Sequence, residues 1–470
     1  MDWFETLVGF PEGDHTEVQR RLAVRGDQLH SLVNGRQYAI GKLELLSLEA
    51  LADRAAVGGG LPGRLRVTCL EGDVRALHHA PAFVGGLFQV ASQFNLLEMV
   101  GPEVTPEHGV TRYAHDGTQG PACAMAAGAA TIYRNYLVPV GDTLGQRRTA
   151  QLDGLHALGD ALALALGTSQ DTLWTMRNGY AMCTERGLKQ IRDHLRYLPD
   201  QEIDALRARL QVGVHWDVEV TDTTTTPGQI VSQVFCSALP VAYGGIAAPH
   251  WEAFASLVLE AAYEATLWAA VCNAQRGGSA TVLLTRLGGG AFRNDDQWID
   301  TALRRALLKF CDTALDVRLV NRGAPTPAQL AMVRAFPGET PMTTAEPAAD
   351  GQAEVILEVG TEGGSITLHG VRTASGWRYF READDQTPQL VGDPSLQHRS
   401  APCETWWEAL ALLNRYPWEH LYAVAVHPEF RELVREALLL RTRGEEPRWS
   451  RNWHALGIFG PADEDSADHA

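Results

Sequence analysis

The chain has 470 residues, a length that predicts two or more domains. Hydrophobic residues make up 45% and charged residues 21%, which is the balance of a folded protein and excludes a disordered one. The 40 lysines and arginines against 57 aspartates and glutamates give a net charge of −17, which argues against direct binding of nucleic acid. A small anionic ligand remains compatible with this charge, because backbone N–H groups can bind an anion without basic side chains.

Targeting and metal-binding signals are absent from the sequence pattern. The first residues show no basic segment followed by an apolar one, and no apolar run approaches the roughly 20 residues of a membrane helix. The seven cysteines are scattered without a CxxC pair, so neither a disulfide framework nor a thiolate zinc site is expected. The histidines lack HExxH spacing. We therefore expect a cytoplasmic protein with reduced thiols, no metal, no cofactor and no membrane partner.

Composition and periodicity divide the chain into four parts. Residues 1–60 are predicted to be an N-terminal extension, 61–323 the main domain, 324–351 a proline-rich linker and 352–460 a small C-terminal domain. Apolar runs in the main domain predict strands over 65–70, 230–236, 281–285 and 315–320, and helices over 251–273 and 295–312. This alternation predicts parallel pairing in a three-layer α/β fold, with a helical insertion over about 150–215.

The C-terminal part carries a different pattern. Short strands separated by glycine turns are predicted over residues 354–359, 365–369 and 377–380. Helices are predicted over 406–416 and 428–440, on either side of a strand over 421–426. This order predicts a small α+β accessory domain.

A glycine triplet is the sharpest local signal. Gly288, Gly289 and Gly290, followed by Ala291 and Phe292, lie between a predicted buried strand and a predicted helix. Without Cβ atoms, the backbone N–H groups of such a loop can converge on a diphosphate. No lysine follows, which disfavours a nucleoside-triphosphate loop. The alternative, a tight turn without a ligand, stays open.

A second glycine pair precedes a cluster of polar residues. Gly85 and Gly86 are predicted to form another phosphate loop, leading into a helix that bears Gln93, Asn95 and Glu98. These three side chains cannot share one helical face, so at most two are expected to point into a site. An ordinary helix with solvated polar side chains is the alternative.

A third polar segment spans residues 113–124. Asp116 is a candidate general base, Gln119 a candidate ligand contact and Cys123 a candidate nucleophile. No histidine partner for Cys123 is evident, which disfavours a thiol mechanism. Helix capping by Asp116, with Gln119 bracing a loop, is the structural alternative.

Together these motifs resemble the macrodomain superfamily and, within it, the poly(ADP-ribose) glycohydrolase branch. The residues that carry the resemblance are Gly72-Asp73-Val74, Gly85-Gly86 with Gln93, and residues 288–292, within a region of about 65–322. The resemblance implies a macrodomain-like sheet, a part in NAD-derived metabolism, and binding of ADP-ribose or an ADP-ribosylated substrate by Asp73 and the glycine loops. It also implies hydrolysis of the glycosidic bond at C1″.

One departure from the family pattern concerns the chemistry. Where the family has two glutamates after the glutamine, this chain has Phe94 and Asn95, and neither side chain can transfer a proton. Asn95 can still contact a ribose. Glu98 or Asp116 would then have to act as acid and base. An ADP-ribosyl glycohydrolase, a non-catalytic ADP-ribose reader and a hydrolase or transferase that uses Cys123 therefore all remain open.

Overall fold

The computed structural model describes residues 2–222 and 227–336 in full, and the backbone of residues 354–361, 364–373, 376–382 and 388–390. The chain forms two compact units, Met1–Thr340 and Pro341–Ala470. The described helices are α1 (Trp3–Val8), α2 (His15–Arg20), α3 (Leu48–Val57), α4 (Val74–His79), α5 (Gln119–Ala126), α6 (Gly128–Tyr136), α7 (His156–Leu166), α8 (Gln170–Leu173), α9 (Glu185–Leu195), α10 (Asp200–Arg207), α11 (Glu252–Gln275), α12 (Asp296–Lys309) and α13 (Pro327–Ala335). The described strands are β1 (Leu22–Arg25), β2 (Gln28–Ser31), β3 (Gln37–Ala39), β4 (Lys42–Ser47), β5 (Arg66–Glu71), β6 (Leu87–Ala91), β7 (Pro139–Val140), β8 (Thr143–Leu144), β9 (Trp174–Arg177), β10 (Tyr180–Cys183), β11 (Gln211–Glu219), β12 (Ile230–Cys236), β13 (Thr281–Leu284), β14 (Asp316–Asn321), β15 (Glu354–Thr361), β16 (Gly364–Thr373), β17 (Gly376–Glu382) and β18 (Pro388–Leu390).

A seven-stranded sheet forms the centre of the first unit, in the order β4-β11-β12-β6-β13-β14-β5. Strands β12, β6, β13, β14 and β5 pair in parallel, whereas β11 is antiparallel to both β4 and β12. The strands predicted over 65–70, 230–236, 281–285 and 315–320 are β5, β12, β13 and β14. The continuous apolar run of β13 fits a strand that is covered on both faces.

Helices cover both faces of this sheet. On one face, Val282 and Leu284 of β13 belong to the same core as α11, α12 and α3. On the other, Leu283 packs with Phe88 of β6 and with residues of α4, α5 and α6. The prediction of a three-layer α/β fold is confirmed.

Helix α11 corrects the expectation that no apolar segment is long enough to cross a membrane. By length and composition its 24 residues could do so, yet 83% of its most apolar window is buried inside the protein. The reason is its position between the sheet and the helices α3 and α12. Its apolar residues are therefore core residues.

Two predicted boundaries are wrong. Strand β4 and helix α3 lie within the predicted N-terminal extension, yet β4 is an edge strand of the central sheet and α3 packs on α11. The predicted linker over 324–351 begins with α13, because Pro327 occupies the first helical turn and Thr326 and Gln329 form a capping box. Met332 of this helix is buried. Residues 337–353 lie outside the described part of the chain.

The predicted insertion over about 150–215 contains four helices, α7 to α10, as expected. It also contains the hairpin of β9 and β10, which the sequence analysis missed, and it ends inside the sheet strand β11. The hairpin turn is Asn178-Gly179, and both residues have the positive φ angles of a type I′ turn.

The second unit contains a four-stranded antiparallel sheet in the order β15-β16-β17-β18. The strands predicted over 354–359, 365–369 and 377–380 are confirmed as parts of β15, β16 and β17. The predicted helices over 406–416 and 428–440 and the strand over 421–426 lie outside the described residues.

Candidate functional site

Several loops with polar or glycine residues meet at one edge of the central sheet. Gly72 and Asp73 follow β5, Arg322 follows β14, and the glycine loop of residues 288–292 follows β13. Because the carboxyl ends of parallel strands share one edge of a sheet, these segments lie on the same side. Open parallel sheets bind ligands in clefts at this edge. We call this cleft the carboxyl-edge cleft.

One end of the carboxyl-edge cleft is a cavity of about 430 Å³, lined by Glu71, Gly72, Asp73, Gly117 and Arg322. The Oδ1 atom of Asp73 accepts a hydrogen bond from the N–H of Ala76 at 3.1 Å and so caps α4. The guanidinium of Arg322 donates to the carbonyl of Gly117. The predicted site residue Asp73 therefore lies in the cleft, together with an arginine that the sequence analysis did not identify.

The glycine loop is held by its own hydrogen bonds but leaves part of its backbone free. The N–H groups of Gly289, Arg293 and Asn294 donate to carbonyls within residues 286–290 at 3.2, 3.1 and 2.9 Å. Those of Gly290, Ala291 and Phe292 have no acceptor among the described residues. Gly290 and Ala291 are also exposed. Three consecutive N–H groups thus lack an acceptor within the described residues, and their binding of an anion stays a prediction.

The first glycine of the triplet has a conformational role. Gly288 has a φ of +76°, and a Cβ atom there would lie 2.5 Å from Cβ of Ala238. Only glycine fits this left-handed position without strain and without a clash. Gly288 therefore shapes the loop that presents the next residues.

An aromatic wall stands beside the glycine loop. The rings of Phe292, Tyr180 and Tyr243 contact one another with centroid distances of 5.2 to 5.7 Å. The hydroxyl of Tyr180 donates to the carbonyl of Met99 at 2.6 Å, which fixes the hairpin of the insertion against the loop after β6. Neither tyrosine was predicted as a site residue, although the Asn178-Gly179 turn signal indicates the hairpin that carries Tyr180.

Asp116 directly precedes the cavity lining in the chain. The next residue, Gly117, lines the cavity. The Oδ1 atom of Asp116 accepts from the N–H of Thr118 at 2.8 Å. Asp116 is half-buried, and its role as a catalytic residue stays a prediction.

Gly85 and Gly86 lie at the opposite edge of the sheet from the glycine loop, so the two predicted phosphate loops do not form one site. The apolar residues that follow them form the strand β6 between β12 and β13, not a helix. Gly85 exchanges backbone hydrogen bonds with Ile230 and Ser279, at the amino ends of β12 and β13. A ligand in the carboxyl-edge cleft would lie beyond the other end of these strands.

Gln93 and Asn95 brace the loop that follows β6. Oε1 of Gln93 accepts from the N–H of Met99 at 2.8 Å. The side chain of Asn95 is fully buried, where it donates to Gln151 at 2.8 Å and accepts from the N–H of Leu97 at 3.1 Å. Contacts of these two side chains with a ligand stay a prediction.

Gln119 and Cys123 are likewise occupied by internal contacts. Gln119 bridges α5 to β6, because its amide accepts from the N–H of Ala91 and donates to the carbonyl of Gln89, both at 2.8 Å. It also donates to Sγ of Cys123 at 3.2 Å. Cys123 is fully buried, and burial raises the pKa of its thiol well above the usual value. The amide of Gln119 is thus engaged within the protein, its contact with a ligand stays a prediction, and a nucleophilic thiolate at Cys123 is disfavoured.

Glu98 lies beneath the cleft and not in it. Its exposed fraction is 2%, and its Cγ packs under Gly120 in the first turn of α5. Nη2 of the buried Arg134 lies 3.5 Å from its carboxylate. Burial raises the pKa of Glu98 to about 7. Both carboxylate oxygens are buried, which disfavours the predicted proton exchange between Glu98 and a ligand.

Comparison with known proteins gives a likeness at the level of solved structures. No family model and no curated protein matches the sequence. A poly(ADP-ribose) glycohydrolase from Thermomonospora curvata is 13% identical, with 67% of this chain and 94% of that chain covered and a TM-score of 0.33. A poly(ADP-ribose) glycohydrolase from Deinococcus radiodurans in complex with ADP-ribose is 13% identical, with 62% and 92% covered and a TM-score of 0.35.

Among the described residues, no three histidine, cysteine, aspartate or glutamate side chains come together as a metal site.

Proposed function

We propose that the carboxyl-edge cleft binds ADP-ribose, free or attached to a target, and that the chain hydrolyses an ADP-ribosyl glycosidic bond. The observation that carries the proposal is the row of three available N–H groups at Gly290, Ala291 and Phe292. An exposed row of this kind can bind the oxygens of a diphosphate in a protein whose net charge is −17.

The two ends of the cleft suit the two ends of such a ligand. The cavity of about 430 Å³ falls within the size range of small-molecule sites and offers the carboxylate of Asp73 and the guanidinium of Arg322. A carboxylate can accept hydrogen bonds from an amino group on a base, and a guanidinium can stack on one. Phe292 and Tyr243 provide an apolar surface for a ribose ring beside the glycine loop.

Asp116 is the proposed acid and base of the hydrolysis. In this reaction water adds to C1″, the bond from C1″ to the leaving oxygen breaks, and a proton passes from the water to the leaving group. Asp116 directly precedes Gly117 of the cavity lining, and a carboxylate is a group that can carry this proton. Cys123 is not proposed as a nucleophile, because its side chain is fully buried.

A non-catalytic reader of ADP-ribose is the second candidate. It is favoured by the burial of Glu98, which leaves Asp116 as the one carboxylate among the predicted catalytic residues that is available at the cleft. A reader and a hydrolase share the same binding site and differ only in turnover.

A paired screen separates these functions. Thermal shift with ADP-ribose, NAD and AMP measures binding, and product release from mono- and poly(ADP-ribosyl) substrates measures turnover. The proposal predicts stabilisation by ADP-ribose and turnover of at least one ADP-ribosyl substrate. Binding without any turnover would assign the reader function, and the absence of stabilisation by all three ligands would refute the site.

A further inference from the structure

Arg293 is an exposed cation in the turn that follows the glycine triplet, and the proposed function does not use it. It directly follows Phe292 and precedes the buried Asn294. Its guanidinium has no hydrogen bond, ion pair or ring contact with another described residue. Arginine is well suited to bind phosphate, because its planar guanidinium donates several hydrogen bonds and stays charged.

The backbone of Arg293 has a conformation that arginine seldom adopts. Its φ is +54°, in the left-handed region, where a Cβ atom crowds the neighbouring carbonyl. Of the described residues other than glycine, four have a positive φ, and Arg293 is the only cation among them. Glycine would fit this position with less strain. A conflict of this kind between residue type and backbone is typical of ligand sites.

A tight turn holds Arg293 close to the N–H groups proposed to bind a diphosphate. The N–H of Arg293 donates to the carbonyl of Gly290 at 3.1 Å. This bond closes the four-residue turn 290–293, whose first and last Cα atoms lie within about 7 Å of each other. A long arginine side chain can span that separation. The guanidinium of Arg293 can therefore reach an anion that is bound by residues 290–292.

The charges that follow the glycine loop make a further cation favourable there. Asp295 caps α12, and Asp296 and Asp300 lie in the first two turns of this helix. Arg286 pairs with Asp296 at 2.7 Å and also contacts Asp300. Without Arg293, this region has three carboxylates and one guanidinium, and such an excess of negative charge opposes the approach of a diphosphate.

We propose that Arg293 binds the diphosphate together with the N–H groups of residues 290–292 and supplies the positive charge that offsets the aspartates of α12. Its guanidinium can donate two parallel hydrogen bonds to phosphate oxygens. The ligand class is a diphosphate, in contrast to an uncharged riboside. The assignment to ADP-ribose rests on the proposed function, whereas the anion site itself does not.

Arg293→Gly removes the guanidinium and relieves the backbone strain. Glycine adopts a φ of +54° freely, and its greater freedom in the unfolded chain offsets part of that relief, so the melting temperature should stay within about 3 °C of the parent. Calorimetric titration at about 50 mM NaCl should show the affinity for ADP-ribose falling at least about tenfold. An affinity within twofold of the parent would overturn the proposal.

Salt dependence distinguishes a charged contact from a structural role of Arg293. Added NaCl screens the attraction between a guanidinium and a phosphate. The difference in affinity between the parent and Arg293→Gly should therefore narrow at least about twofold at roughly 1 M NaCl, where the Debye length is about 3 Å. A difference that keeps its size at high salt would show that Arg293 acts through loop conformation and would contradict the proposed charged contact.

Arg64→Gly is the matched control for the loss of one arginine. Arg64 is also exposed, and it lies just before β5, at the amino edge of the sheet and opposite the glycine loop. This variant should bind ADP-ribose with the affinity of the parent. An equal loss of affinity in both variants would show a general effect of net charge and would contradict a local role of Arg293.

Inorganic pyrophosphate tests the anion site independently of the proposed function. In a thermal-shift assay it should stabilise the parent and Arg64→Gly more than Arg293→Gly. If pyrophosphate gives this result and ADP-ribose does not bind, the proposed function fails and the role of Arg293 stands. If ADP-ribose binds the parent and Arg293→Gly equally, the proposed function stands and the role of Arg293 fails. If neither ligand binds the parent, both fail.

Discussion

The glycine loop allows a substitution that separates ligand binding from folding. Gly290 has no atom within 4 Å of the position a Cβ would take, and its backbone is not in the left-handed region. Gly290→Val should therefore fold normally. The branched side chain would stand beside the N–H groups of Gly290, Ala291 and Phe292 and keep a phosphate from reaching them.

The expected loss of ADP-ribose affinity follows from the hydrogen bonds that Gly290→Val would prevent between the phosphate and the loop N–H groups. A hydrogen bond to a charged group contributes about 1.5–3 kcal/mol, so displacing the phosphate from even one N–H group should weaken ADP-ribose binding at least about tenfold. Isothermal titration calorimetry measures this loss, and thermal unfolding checks that the melting temperature changes by less than about 3 °C.

Gly13→Val is the matched control for Gly290→Val. Gly13 is exposed, has only the Glu17 carboxylate near its Cβ position at 3.8 Å, and precedes α2 far along the chain from the cleft. The Gly13→Val variant should bind ADP-ribose with the same affinity as the parent protein. An affinity of Gly290→Val within twofold of this control would refute the diphosphate site at residues 290–292.

Four further changes test other parts of the account. Asp116→Asn should lower kcat about 100-fold with little change in affinity, since it removes proton transfer and keeps shape; equal turnover would exclude Asp116 as acid and base. Cys123→Ser should retain the turnover of the parent, and a loss would favour the thiol mechanism. Gly288→Ala should lower the free energy of unfolding by more than about 1 kcal/mol in urea titration, because alanine is strained at a φ of +76° and meets Ala238. Glu98→Gln should raise the melting temperature more at pH 8 than at pH 5. The pKa of Glu98 is higher in the folded protein than in the unfolded chain, so the parent loses stability as the pH rises from the unfolded to the folded pKa. A difference in melting temperature that does not change with pH would contradict the titration of Glu98.

The elements that the sequence predicts well are those with a strong local signal. Local patterns were enough to predict three elements: the apolar runs of β12 and β13 and the long periodic segment of α11. The glycine loop could be predicted because it directly follows the apolar run of β13 and ends shortly before α12 begins. In each of these cases, the pattern of neighbouring residues is sufficient to predict the element.

The errors arise where position depends on the rest of the fold. The residues of β6 are few and apolar, and such a run does not distinguish a strand from a helix. Once β6 is a strand between β12 and β13, Gly85 falls at the amino end of the sheet and Gln93 in a loop, which no local pattern reveals. The burial of Glu98 likewise depends on α5 and α6, because Gly120 of α5 and Arg134 of α6 pack against it.

The central claim is that a diphosphate binds to the glycine loop at the carboxyl edge of the sheet. A crystal structure of the chain with ADP-ribose tests it most directly. The account predicts phosphate oxygens within hydrogen-bond distance of the backbone nitrogens of Gly290, Ala291 or Phe292, with the adenosine end in the cavity beside Asp73. ADP-ribose bound at another surface, such as the opposite edge near Gly85, would contradict it.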